Sequence, residues 1–145
     1  MKPIMPVVLC ASLVFGVAMA LAEGPFRTLN FAKNPANLKG AELVHVPQIE
    51  APDQVGRGEP FMVTVTVGTN PHPSTPQHNI HWIELYAGDV LIARTDLTPV
   101  LSRPTVTYTV TLEESVTLRA RSMPNHSAAW ESTKRVTVVT KKDTP

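Results

Sequence analysis

Three stretches of this chain alternate apolar and polar side chains with a period of two, and only an extended strand turns such a pattern into one buried and one wet face. Phe61, Val63, Val65 and Val67 alternate with Met62, Thr64 and Thr66. Val106, Tyr108, Val110 and Leu112 alternate with four threonines, and Val116, Leu118 and Ala120 with Thr117, Arg119 and Arg121. Less regular runs at 43–50, 79–86, 89–95 and 134–140 bring the count to about seven. No segment reads as a helix. Turn residues fall between the runs, at Pro52-Asp53 through Gly58, Ala87-Gly88-Asp89, Thr98-Pro99 through Pro104 and Glu113-Glu114-Ser115. The pattern predicts an all-β chain, an immunoglobulin-like β-sandwich with Greek-key connections.

The first 22 residues read as a signal peptide, with Lys2 as the basic n-region, an apolar run from Val7 to Leu21, and Ala20-Leu21-Ala22 as the cleavage site. Residues 23–40 read as a polar leader segment, and 41–145 as the sandwich domain. The expected location is periplasmic or secreted, with no membrane attachment after cleavage. The single cysteine, Cys10, falls inside the signal, so no disulfide is available afterwards and stability must come from a core. Lys2 accounts for the whole formal charge of +1, and the remaining acids and bases are scattered. A nucleic-acid partner is therefore not expected. No nucleophile with a base, phosphate-binding glycine loop or carboxylate pair stands out, which leaves hydrolytic chemistry without support.

Histidines carry the chemical signal. His72 and His78 bracket a loop stiffened by Pro71, Pro73 and Pro76, so ordering it around a ligand forfeits little entropy. His45 precedes Val46-Pro47, which places it at an edge or strand end because Pro47 cannot donate to a central ladder. His126 lies in a turn after Pro124, with Met123 three residues earlier. Neutral imidazoles gathered from separate strand ends suit a mononuclear metal site. His81 is expected to be structural or exposed, on the strand face opposite His78, Ile80 and Trp82. Trp82 and Trp130 are expected in the core, Trp130 with the further option of shielding a site.

The segments HVPQIEAP, GEPFMVTVTVG, HPSTPQHNIHWIELYAGDV, LTPVLSRPTVTYTV, LEESVTLRA and WES, in that order, resemble the iron domain of desulfoferrodoxin and neelaredoxin, the superoxide reductases. The likeness spans about residues 39–139. It implies one iron held by four histidines and an axial cysteine thiolate, with His45, His72 and His78 matching the first three histidines. In the family, a C-N-x-H-G-x-W loop supplies the remaining two ligands. Aligned without a gap on Asn125 and Trp130, this chain has Pro124 and Ser127 at those positions; a one-residue slip brings Met123 and His126 there instead, with Met123 as the axial or nearby donor. Sequence leaves both placements open. The family's Glu-Lys pair before the first histidine is replaced by Leu43 and Val44, and Glu42 on a strand would face away from His45.

The expected function is thus a mononuclear metal-binding protein resembling superoxide reductase, with iron by resemblance or copper by ligand set. The missing thiolate argues against reduction of superoxide in the family's manner, since a thioether or imidazole donates far less electron density. If active, the chain is an oxidoreductase of that type. The alternatives are a copper-binding carrier and a metal-free interaction module similar to sulfur-oxidation carrier domains, acting with a redox or carrier protein.

Overall fold

In the computed structural model, residues 28–140 are described. The signal peptide expected at 1–22 lies outside them. Nine strands and one helical turn follow one another: β1 Asn30–Phe31, α1 Glu42–His45, β2 Pro47–Glu50, β3 Gln54–Gly56, β4 Phe61–Val67, β5 Ile80–Ala87, β6 Val90–Asp96, β7 Thr105–Val110, β8 Val116–Pro124 and β9 Trp130–Val139. One sheet runs β1-β9-β8-β5-β6, with β3 also pairing with β9; the other runs β2-β4-β7. These two layers are the predicted sandwich.

The period-two runs form as expected. Val63, Val65 and Val67 of β4 face Leu118 and Ala120 of β8, Ile83 and Leu85 of β5, and Val136 of β9 in a single core cluster. All eight are sealed from solvent, which at roughly 1.5–3 kcal/mol for each large aliphatic side chain is the main stabilising term. The hairpin at Ala87-Gly88-Asp89 closes β5 onto β6, with Gly88 at a φ of 59° that favours glycine.

Three local departures shape the site. The run 43–50, read as one strand, is split: residues 42–45 form a helical turn, and extended backbone at Val46, imposed by the following Pro47, starts β2. Second, strand β5 shifts register against β8 between Ile80 and Trp82. Ile80 and then Ile83 and Leu85 reach the core, while Trp82 turns to the outer face, where the Arg94 guanidinium lies 4.7 Å from its ring centre. Trp82 is therefore half-buried rather than a core residue; His81 is exposed, as expected. Third, part of the leader joins the sheet, with β1 running parallel to β9 at Trp130 and Glu131.

Gly68 fixes how α1 meets the sandwich. Its φ is 71°, and a Cβ there would come within 2.7 Å of the Leu43 carbonyl oxygen and 2.8 Å of Val44 Cα. Only glycine lets the end of β4 pass this close to the turn carrying His45. The Thr69 and Asn70 N–H groups then both donate to the Leu43 carbonyl, at 2.8 and 2.9 Å.

Candidate metal centre

Three segments deliver four imidazoles to the same end of the sandwich. His45 closes α1, and its backbone carbonyl accepts a 2.6 Å hydrogen bond from Ser122 Oγ on the inward face of β8. His72 and His78 come from the β4–β5 connection. There the His72 N–H donates to Ser102 O at 2.6 Å, while Thr75 and His78 exchange backbone hydrogen bonds of 3.1 and 3.0 Å in a tight turn. His126 comes from the β8–β9 loop. One ligand atom from each of the four lies within 4.8 Å of the others.

The hydrogen bonds behind the rings decide which nitrogen faces inward. His45 Nδ1 is 2.9 Å from the Ala41 carbonyl, His72 Nδ1 is 2.6 Å from the Pro73 carbonyl, and His126 Nδ1 is 3.1 Å from Asn125 Oδ1. An oxygen of this kind only accepts, so each Nδ1 carries the proton and each Nε2 presents a lone pair. Those lone pairs converge: His45 Nε2 is 2.9 Å from His72 Nε2 and 3.2 Å from His126 Nε2. Two lone pairs at that separation repel unless a cation lies among them. Metal-ligating histidines have this arrangement, the outer N–H donated to an acceptor that fixes the ring and the inner nitrogen left free. The donor set therefore fits a first-row metal ion.

Electrostatics agree. Burial, followed by the charges His72 and His126 would carry, pushes His45 down to about 4 despite the opposing bond to Ala41. Burial also lowers His72, against the pull of the Pro73 carbonyl, and lowers His126 together with His78 and His72. These three rings are neutral at pH 7, ready to bind metal without losing a proton. His45 and His72 are buried, His78 is partly covered and His126 is at the rim. The ring of Trp130 stacks on His45, with centroids 5.7 Å apart and planes 13° apart. This is the shielding position foreseen as an alternative to the core.

The other sequence-derived residues fall as follows. Met123 pairs with Trp82, and strand alternation turns it to the outer face with Arg119 and Arg121, opposite Ser122. Ser127 bonds its neighbour Ala128 O at 3.2 Å, and it is His126 that joins the cluster. Glu42 does not face away as a strand would require, because 42–45 is helical. Its carboxylate instead accepts the Lys33 and Lys39 N–H groups at 2.9 Å each, clasping the leader to α1 and holding Glu42 below its usual pKa. The supporting acceptors were not foreseen: Ala41 and Pro73 act through their backbone, which leaves no residue-type signal.

Such a sandwich, with four imidazoles from three segments at one end, defines a class of small β-proteins built around a histidine cluster. The family model described as Desulfoferrodoxin matches residues 37–133, and the chain belongs to that family. It is 33% identical over 111 residues to neelaredoxin from Megalodesulfovibrio gigas, covering 63% of this chain and 85% of the relative. A solved structure of superoxide reductase (neelaredoxin) from Ignicoccus hospitalis superposes with a TM-score of 0.60 at 39% identity, over 66% of this chain and 81% of the other. The sulfur carrier protein SoxY from Chlorobium limicola shares the fold alone, with a TM-score of 0.55 at 16% identity over 77% and 84% of the two chains.

Proposed function

We propose that this protein is a periplasmic or secreted mononuclear metal-binding protein of the superoxide-reductase type, holding iron or copper through His45, His72, His78 and His126. The single observation that carries the reading is the convergence of Nε2 lone pairs whose Nδ1 partners are already committed to acceptors. When bound, such a metal supplies a one-electron redox couple. The chain's own residues do the rest. Ala41, Pro73 and Asn125 hold the rings in the ligating tautomer, Trp130 covers His45, and the burial of His45 and His72 keeps both unprotonated at neutral pH.

The only cysteine of the chain, Cys10, belongs to the expected signal peptide, so the ligand set contains imidazoles and no thiolate. That favours binding, storage or transfer of the metal, with a redox or carrier protein as partner, over the reduction of superoxide that a thiolate-ligated iron supports. The same all-imidazole set is the specific reason for naming copper beside iron, because at sites of this kind copper binds more tightly than iron.

The test is metal content of the purified protein, read by elemental analysis. One iron or copper per chain is expected, and His72→Ala should lose it. Neither metal, with no uptake from ferrous or cupric salts, overturns the proposal. Stopped-flow mixing of the iron-loaded protein with superoxide separates the two roles: rapid consumption would restore the enzyme reading, and slow reaction supports the carrier.

A further inference from the structure

We infer that Asn125 is a positioning residue that joins the loops of the third and fourth histidines into one unit. The inference rests on the reading of the four histidines as ligands. Its Oδ1 accepts from the Asn79 backbone N–H at 3.1 Å and from His126 Nδ1–H at 3.1 Å. Its Nδ2 donates to the Pro76 carbonyl at 3.2 Å, and its backbone N–H donates to Asn79 O at 3.0 Å. One short side chain thus holds the turn that ends in His78 and, at the same time, selects the tautomer of His126.

The location explains why such a residue is needed. His45 and His72 are fixed by carbonyls four residues and one residue away in their own segments, inside the protein. His78 and His126 lie nearer solvent on separate loops, yet their rings stack at 3.8 Å. Asn79 completes the link from the other side: its Nδ2 donates to Thr75 O at 2.8 Å and Pro76 O at 3.2 Å, closing the turn that Asn125 grips. Without Asn125 Oδ1, His126 loses the acceptor that keeps its Nδ1 protonated and its Nε2 free.

The test reads the metal-free protein first. Imidazole nitrogen spectra should show His126 protonated on Nδ1 in the wild type; protonation on Nε2 there overturns the inference without any variant. Asn125→Leu, of similar shape with no acceptor, should move the proton of His126 toward Nε2, whereas Asn125→Asp, which keeps both acceptor contacts and forfeits the donation to Pro76, should restore Nδ1. A purely structural role would lower thermal stability in both variants and leave the tautomer alone, and that outcome also overturns it. Titration with cupric and ferrous ions should then show an affinity loss of about 10- to 100-fold in Asn125→Leu, rescued by Asn125→Asp. Should the wild type bind neither metal, the proposed function fails while the tautomer measurement still decides the role of Asn125.

Discussion

Two polar clusters sit on opposite sides of the β8–β9 ribbon, and they solve opposite problems. On the outer face of the six-stranded sheet, Arg119 and Arg121 converge on Glu131 with N–O distances of 3.0 and 2.6 Å, and Tyr86 lies beneath both guanidinium groups at 5.5 and 4.7 Å. Every charge there meets its opposite. At the end of the sandwich, the histidine cluster brings four groups of the same kind together; the lone pairs of His45, His72 and His126 face inward, and among the described residues no acidic side chain joins the cluster. A cluster satisfied by its own members holds the fold; one that is left with converging acceptors holds something else.

The largest effect follows from adding a metal ion to the histidine cluster. A ligand that binds only the folded state stabilises it by about 4 kcal/mol at a concentration 1,000 times its dissociation constant. Cupric or ferrous ion should therefore raise the unfolding midpoint strongly, and a chelator should reverse the shift. In the metal-free protein His126→Ala, at the exposed rim, should change stability by no more than about 0.5 kcal/mol, yet it should abolish most of the metal-dependent gain. A variant that is destabilised without metal and still gains fully from it would erase the contrast between the clusters.

The outer cluster should behave the other way, insensitive to metal and sensitive to loss of a single member. Glu131 is 5% exposed, and Glu131→Gln leaves two guanidinium groups without their shared carboxylate. Removing one partner of a fully buried pair costs about 3–5 kcal/mol, and the arginine side chains here are about one-fifth exposed, so a loss of about 2 kcal/mol is expected in urea unfolding. Metal uptake should be unchanged. Loss of metal in Glu131→Gln would mean that the two clusters are mechanically one.

How much of this contrast was legible in the sequence depends on the range of the interactions. Alternation is local, so β4, β7 and β8 could be read directly, and histidines at strand ends point to a site whatever the register. The helical turn at 42–45 is too short to show a helical period, and it hides behind Pro47. The register shift between Ile80 and Trp82 reverses which face each residue takes, which is why Trp82 lies outside and an alternation count from His78 fails. Strands β1 and β3 are short parallel partners of β9 with no pattern of their own. The Arg119–Arg121–Glu131 cluster needs the β8–β9 pairing of Arg121 with Glu131, a non-local fact. Asn125 was visible as a residue to align on, but its hydrogen bonds to Asn79 and His126 required the two loops to meet.

The last contrast, and the one that separates the clusters in a single experiment, is the acid profile of the metal-free protein. His45 titrates near 4 in the fold against 6.5 when free, so as pH falls below 6.5 the unfolded chain takes up the proton first and stability declines until about pH 4. Burial alone would raise Glu131, but hydrogen bonds and charge from Arg119 and Arg121 hold its carboxyl below the usual range. Its contribution is therefore complete above that range and fades at lower pH, through the folded value. Urea midpoints measured from pH 7.5 to 3 should show two declines, the upper reduced in His45→Ala and the lower reduced in Glu131→Gln. The upper decline arises because the imidazoles are held neutral among their own kind, whereas the lower arises because a carboxylate is held charged among opposites. A profile flat from pH 6.5 to 4 would show that the histidines are not buried as a neutral group and are not held ready for a metal ion.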